Sequence, residues 1–325
     1  MFDSFGRRIE YLRVSVTDRC NYRCFYCMPE GHVPCATRDE VLNAGELTRL
    51  IGLFAALGVQ RVRITGGEPL VRRDIEAIIA GVKHTRGIGD ISLSTNGHLL
   101  HAQVASLRKA GLNRVNVSLD SLNPAVFHHI TGTDGLARVL HGIDAAKQFG
   151  LGPVKVNTVV MRGVNENEIG CFLDYCVPRG LELRFIETMP LNGSDTVSTR
   201  HYMSAEDILE RVRSHCGADL VPETTGRGAG PARYYRLGSG PARVGVISAI
   251  SQHFCAACNR VRLTATGDLV LCLSHEDAVP LGRLLRQGAT DGELTAAILA
   301  GIARKPERHT FDAKPSAQPM SRLGG

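Results

Sequence analysis

The chain has 325 residues, with 38 Lys and Arg against 32 Asp and Glu for a formal net charge of +6 at pH 7, and it contains no tryptophan. That length allows two modest domains or one barrel-sized unit with an extension. No block of like charge interleaves with aromatic residues, which excludes a stacking platform for nucleic acid. The longest apolar stretch, near Ile51 to Val59, is far short of the ~20 residues that cross a bilayer. With no apolar h-region in MFDSFGRRIEYL, a cytoplasmic protein is expected.

The first run, Leu12 to Val16, reads as a strand, and the loop after it, to Pro29, carries Cys20, Cys24 and Cys27. Three cysteines in CxxxCxxC spacing gather three thiolates on one loop. A structural zinc ion almost always takes four ligands. A cuboidal iron–sulfur cluster on three cysteines keeps one iron open to a small molecule. A zinc knuckle with a distant fourth ligand, or three unconnected core thiols, are the alternatives. Cys35, in a Pro-containing loop, is the one other cysteine placed to compete for that iron. Cys176 and Cys216 fall on apolar helical stripes and read as core thiols, and Cys171 as incidental.

A helix is predicted over Glu46 to Gly58, with Asn43 as its cap and Gly58 as its stop. Strand runs follow at 61–65, 91–95, 115–119, 154–160 and 183–187, with helices between them. Six strand–helix units argue for a parallel α/β sheet, and six are too few to close an eight-stranded barrel. Either a partial barrel or a doubly wound sheet satisfies the alternation. In a barrel the chemistry belongs at the C-terminal strand ends. Cys20, then Gly66-Gly67-Glu68-Pro69, then Asn96-Gly97, then Asp120 all follow strands in that way. Gly66 and Gly67 suit close approach of backbone to a ligand, or positive φ.

Past Pro190 the alternation stops. A helix is predicted over Ser204 to Cys216, capped by Ser204 with Asp207 three residues on. An exposed loop is expected over Pro222 to Gly230, then β segments at 233–237 and 243–251. Cys255, Cys258 and Cys272 form a second trio on a hairpin of 261–264 and 269–273. A three-residue turn at 266–268 sets Arg262 opposite Cys272, and a slip of one residue sets Val261 there instead. Arg260 and Arg262 share a strand face. A zinc ribbon completed by His253 or His275 competes with a second cluster. The tail from Ala313 to Gly325 has the composition of a mobile segment.

CxxxCxxC with Tyr26 before its last cysteine, followed by GGEP, resembles the radical S-adenosylmethionine (SAM) superfamily, which favours the partial (β/α)6 TIM-like barrel. The late CxxC with Cys272 beyond it, Arg260-Val261-Arg262 and the terminal Gly324-Gly325 resemble the GTP 3′,8-cyclases of molybdenum cofactor biosynthesis, over nearly the whole chain. The resemblance implies residues 1–225 as the radical core and 226–325 as a region carrying a second cluster and substrate contacts. It implies two 4Fe-4S clusters, on Cys20, Cys24 and Cys27 with SAM, and on Cys255, Cys258 and Cys272 with substrate. Tyr26, Gly67, Ser118 and Met189 would hold SAM. Arg13, Arg63, Ser94, Lys155, Arg260 and Arg262 would contact GTP, Ser94 standing where the family usually has threonine. Gly324 and Gly325 would enter the site and serve catalysis. The implied reaction is abstraction of H3′ of GTP by a 5′-deoxyadenosyl radical and attack of C3′ on guanine C8, giving (8S)-3′,8-cyclo-7,8-dihydro-GTP. The implied partners are a flavodoxin- or ferredoxin-type electron donor and a downstream cyclic pyranopterin monophosphate synthase, with the enzyme a monomer or homodimer. A peptide-modifying radical SAM maturase and a zinc-binding module are the competing readings.

Overall fold

The computed structural model describes residues 1–28, 35–191, 196–223, 230–311 and 320–324. Gly325, most of the 313–325 tail, the centre of the 222–230 loop and Pro29 lie outside the described residues. Six parallel strands form the frame: β1 (Tyr11–Ser15), β2 (Arg61–Thr65), β3 (Asp90–Thr95), β4 (Arg114–Ser118), β5 (Lys155–Val160) and β6 (Glu182–Glu187). They neighbour one another in chain order. Each lies within one residue of its predicted bounds.

Helices α1 (Ala44–Ala56), α2 (Ile75–His84), α3 (Leu100–Ala110), α4 (Pro124–Thr131), α5 (Leu136–Gln148) and α6 (Ile169–Cys176) run between the strands. Asn43 caps α1 in a reciprocal box with Glu46, which starts the helix two residues before its predicted start. On the helix side of the sheet, Leu12, Val14, Val62, Ile64, Leu93, Val117, Val156 and Phe185 are buried to 0 % exposure against residues such as Phe54, Ile79 and Leu107. Burial of each large apolar side chain contributes about 1.5–3 kcal/mol.

After α7 (Thr196–His201) and α8 (Ala205–Cys216) come β7 (Leu220–Glu223), β8 (Arg233–Leu237) and β9 (Arg243–Ile247). The expected loop therefore begins later than predicted, because Leu220–Glu223 pairs antiparallel with β8 as the sheet's edge strand. Its Pro222 is tolerated at an edge, where an N–H is dispensable. β9 is shorter than the predicted 243–251. The chain leaves the sheet after Ile247 because the N–H groups of Ile250 and Ser251 donate to Glu187 (2.9 and 3.0 Å). β9 continues the parallel sheet beyond β6.

At the other edge, β10 (Arg260–Leu263) pairs in parallel with β1, and β11 (Asp268–Val270) and β12 (Ala278–Pro280) follow antiparallel. Helices α9 (Leu281–Arg286), α10 (Asp291–Ala303) and α11 (Met320–Leu323) complete the described chain. The β10–β11 register places Arg262 opposite Val270, two residues from the predicted pairing with Cys272. Thr264 and Asp268 close the turn, with Thr264 N–H donating to the Asp268 carbonyl (2.9 Å) and Asp268 N–H to Thr264 Oγ1 (2.9 Å). The loop is therefore 265–267, one residue earlier than predicted. A shift of two keeps the same face, so Arg260 and Arg262 remain together.

No helix of the described residues is long and apolar enough to cross a membrane. Glu187 is fully buried and also accepts from Ala205 N–H (2.7 Å), so one carboxylate ties β6, α8 and the end of β9 together. Glu187→Ala removes the acceptor of the buried Ala205 N–H and of the part-buried Ile250 and Ser251 N–H groups, at about 1–3 kcal/mol for a fully buried donor and less for the others. The expected result is destabilisation of at least about 2 kcal/mol in denaturant melts; an unchanged midpoint would show that this junction is redundant.

Candidate active site

Alternation along a strand puts every second side chain on the concave face, and here those positions are polar. Buried parallel strands are ordinarily apolar on both faces. One cavity of about 490 Å³ is lined from all six core strands and from β9 and β10, so the open sheet curves around it. Cys20, Cys24 and Cys27 line it, and so do Cys255, Cys258 and Cys272. The two trios face one space. Tyr26, Gly67, Ser118 and Met189 line it too, as do Arg13, Arg63, Ser94, Lys155, Arg260 and Arg262. Cys35 is exposed and off the cavity.

The first cysteine loop is held from both sides. Gly67 N–H donates to Thr17 O and Glu68 N–H to Arg19 O (both 2.8 Å), while Arg23 and Phe25 N–H groups donate to Thr131 and Ile130 of α4 (3.0 and 3.2 Å). A Cβ on Gly67 would lie 2.5 Å from Arg19 O, and one on Gly66 2.4 Å from Thr17 O. The backbone that these glycines closely approach is the cysteine loop itself, and both glycines also line the cavity. Tyr26 hydroxyl donates to Asp120 (2.6 Å), which also accepts from Val159 N–H (2.8 Å). Burial pushes Asp120 up to about 6.

Burial also pushes the Cys20 thiol up to about 11, and burial with neighbouring Cys27 and Asp120 raises Cys24 further. Thiolates in this place need a cationic partner, as the core of an iron–sulfur cluster provides. At the second trio, burial raises Cys258, but Lys305, Arg260 and Arg262 outweigh it and the net direction is down. Among the described residues no three His, Cys, Asp or Glu side chains are gathered as a single-ion site. The candidate fourth zinc ligands lie off the cavity: His253 packs on the His309 ring (centroids 5.5 Å apart) and His275 Nε2 lies 3.4 Å from the Arg308 carbonyl. Both trios thus suit a multi-iron cluster better than a closed zinc site.

Cations dominate the rest of the lining. Arg262, Arg13 and Arg63 stand in register on β10, β1 and β2. Burial and the other arginines push Arg13 well down, and burial brings Arg63 and Arg262 to about 10. Arg63 Nε donates to Ser92 Oγ (3.3 Å). The Nε atoms of Arg260 and Arg262 are buried with no hydrogen-bond partner among the described residues, as are Asn157 Oδ1 and both amide atoms of Asn116. Lys155 is 3 % exposed and pairs with Glu182, and burial lowers it to about 8. Asn157, Arg184, Tyr11, Arg114 and Lys305 also line the cavity without having been singled out. Strand alternation would have found the first four, each at an inward position.

The chain's end enters the barrel. Met320 and Ser321 line the cavity, Leu323 is 1 % exposed, and Arg13 Nη2 donates to the Gly324 carbonyl (3.4 Å).

Two family models cover most of the chain: Radical SAM superfamily over residues 14–176 and Molybdenum Cofactor Synthesis C over residues 181–311. A curated GTP 3′,8-cyclase of Hydrogenovibrio crunogenus is 48 % identical over 313 residues, covering 96 % of this chain and 95 % of its own. That of Pelotomaculum thermopropionicum is 43 % identical over 100 % of both chains. GTP 3′,8-cyclase 2 of Pseudomonas aeruginosa is 45 % identical over 100 % of this chain and 98 % of its own.

The chain belongs to the GTP 3′,8-cyclase family. These cyclases are radical SAM enzymes, so SAM and an iron–sulfur cluster come with the assignment. The maturase and zinc-module readings are set aside by it. Streptococcus suis SuiB bound to S-adenosylmethionine, a solved structure, shares the fold at 16 % identity (TM-score 0.62, 94 % of this chain, 73 % of that chain). SuiB bound to its precursor peptide SuiA gives a TM-score of 0.64, again at 16 % identity, over 94 % of this chain and 72 % of that chain.

Two predictions follow from this geometry. Glu68 is 0 % exposed and accepts from Thr95 Oγ1 (2.8 Å) and from the N–H groups of Asn96 (2.7 Å) and Leu70 (3.0 Å). Burial outweighs these bonds and raises it from 4.5 to about 7. A carboxyl raised in the folded state holds its proton more tightly there, so its contribution to stability falls as pH rises from 4.5 to 7, by roughly 3 kcal/mol. Glu68→Gln should flatten apo-protein stability across that window, and parallel wild-type and variant pH curves would show Glu68 ionised throughout.

Gly324 has φ +76°, and a Cβ there would lie 2.3 Å from Thr65 Cγ2. Gly324→Ala should expel the tail, read as faster carboxypeptidase trimming and at least about tenfold slower turnover; wild-type trimming and turnover would place the tail's role elsewhere.

Proposed function

We propose that the cavity holds SAM at the first cysteine trio and GTP at the second, each trio carrying a 4Fe-4S cluster with one iron left open for its ligand. The supporting observation is that both trios line the same space as Arg260 and Arg262, whose buried Nε atoms have no hydrogen-bond partner among the described residues. Bound there, a cluster and SAM would supply the radical that takes H3′ from the GTP ribose; closure of C3′ on guanine C8 would then leave a base-centred radical that one further electron and one proton reduce to the dihydro product, the first step toward molybdenum cofactor.

Arg260 and Arg262 offer guanidinium forks to phosphate oxygens, with Arg13 and Arg63 beside them in register and Lys155 deeper in. Burial above all, and repulsion from neighbouring arginines, hold Arg13, Arg63 and Arg262 below the usual arginine range, and an anion there offsets that repulsion. Ser94 supplies a hydroxyl toward GTP. Tyr26, aimed by Asp120, and Gly67, Ser118 and Met189 bracket SAM. Gly324 closes the substrate end, and Gly325, which lies outside the described residues, serves catalysis with it in this reading. In this reading residues 1–225 form the radical core and 226–325 carry the second cluster. A cytoplasmic flavodoxin- or ferredoxin-type donor supplies electrons, cyclic pyranopterin monophosphate synthase takes the product, and the enzyme works as a monomer or homodimer.

Anaerobically purified protein should carry close to eight irons. With SAM, reductant and each nucleoside triphosphate in turn, 5′-deoxyadenosine should form fastest with GTP. Arg262→Ala should raise KM for GTP roughly 10- to 100-fold with iron retained, since a charge-assisted bond contributes about 1.5–3 kcal/mol. Equal turnover with ATP would sink the GTP assignment, and loss of iron in Arg262→Ala would assign that residue to cluster support.

A further inference from the structure

The second cysteine trio sits on a short 3-10 turn and a hairpin end that share no ladder. Cys255 to Ala257 form the turn, and Cys272 lies beyond β11. Such segments need support from elsewhere.

It comes from the chain's first residues and from 305–310. Arg7 is buried, and four of the five N–H bonds of its guanidinium are engaged. Nε donates to Asp3 Oδ2 (2.6 Å), Nη1 to the carbonyls of Cys255 (2.9 Å) and Glu307 (2.7 Å), and Nη2 to the carbonyl of Pro306 (2.6 Å). Asp3 is fixed in turn by the N–H groups of Phe5 (3.0 Å) and Arg7 (2.9 Å). Lys305, 3 % exposed, donates from Nζ to the Leu271 carbonyl (2.6 Å), one residue before Cys272. Thr310 N–H donates to Ser274 Oγ (3.0 Å), and that hydroxyl lies 3.5 Å from Cys272 Sγ. Arg7 thus grips the CxxC arm, Lys305 grips the Cys272 arm, and residues 305–307 join the two grips.

We infer that Arg7 and Lys305, through the strap 305–310, are the positioning residues that hold both arms of the second cysteine trio at cluster-binding distance. Their strength comes from engagement of buried charge with carbonyl groups, each bond of the stronger, charge-assisted kind. Lys305 has a second consequence. Its ammonium lies on the cavity wall with Cys258 and Arg260, so its positive charge favours the more negative, reduced state of a cluster bound there. This inference rests on the two-cluster reading.

The test uses full-length wild type, Arg7→Met and Lys305→Met, each reconstituted with iron and sulfide. For Arg7→Met the expected result is a fall from about eight to about four irons per chain. The GTP-induced change in the electron paramagnetic resonance (EPR) signal should disappear, while the SAM-induced change at the first cluster persists and reports a folded barrel. Lys305→Met should load the second cluster only in part, and the fraction that loads should show a lower midpoint potential in the GTP-responsive signal while the SAM-responsive cluster stays full and unmoved. Eight irons and an intact GTP response in Arg7→Met would overturn the clamp. An unmoved potential in Lys305→Met would overturn the role of Lys305, and decides the matter if Arg7→Met loses the SAM response as well. Four irons in wild type would instead refute the two-cluster reading itself.

Discussion

The structure depends on confining positive charge inside a parallel sheet. Arg262, Arg13 and Arg63 occupy level positions on three adjacent strands, and neighbouring strands are about 4.8 Å apart. Were two full charges held at that backbone spacing, at an effective dielectric constant near 20, they would repel by roughly 3 kcal/mol, and splayed side chains lower that figure. Burial adds to the cost for each. Deeper in the barrel the charge is balanced: Glu182 receives Lys155 and Arg243, and Asp90 receives Arg114. Nearer the second trio, Arg260 and Arg262 keep buried Nε atoms without hydrogen-bond partners among the described residues. A cavity built this way is incomplete until something anionic with several acceptor oxygens fills it, and a triphosphate meets that description better than a neutral substrate.

The cost is tolerable because the opposite face of the same strands is apolar and fully covered. Alternation does both jobs. Leu12 and Val14 pack under the helices while Arg13, between them, points to the cavity. A register slip of one residue on any strand would bury guanidinium groups among leucines and open the cavity to apolar side chains. The β10–β11 hairpin illustrates the tolerance that remains. Its register differs from the expected one by two residues, and the face on which Arg260 and Arg262 stand is unchanged.

Much of this was legible in the residues. The six strand runs were visible because β-branched and leucine-rich segments recur between capped amphipathic helices, and the cysteine spacings announced both trios. The lining of the cavity by Lys155 and Arg63 was legible from charge set within apolar runs. What escaped had no local signature. β7 carries Pro222 and is recognisable as a strand only through its pairing with β8. The early end of β9 is imposed by Glu187, more than sixty residues away in sequence. Gly66 and Gly67 were expected to allow a ligand's approach or positive φ, but their close contact with the carbonyls of Thr17 and Arg19 was not legible, because it exists only once β1 and β2 lie side by side.

Arg7 and Lys305 are the extreme case of non-local information. Nothing around Arg7 in the sequence distinguishes it from Arg8, whose nearest ion partner, Glu10, lies 3.8 Å away while Arg8 itself stays largely in solvent. The difference is that Arg7 is turned inward by Asp3 and meets carbonyls some 250 and 300 residues distant. Because β10 pairs in parallel with β1, the start of the chain and the CxxC of the second trio are forced onto the same end of two adjacent strands. Once that pairing is fixed, a cation at the start of the chain is the nearest group able to satisfy carbonyls of two segments that have no ladder of their own. The sheet order that shapes the cavity therefore also brings together the groups that brace the second trio.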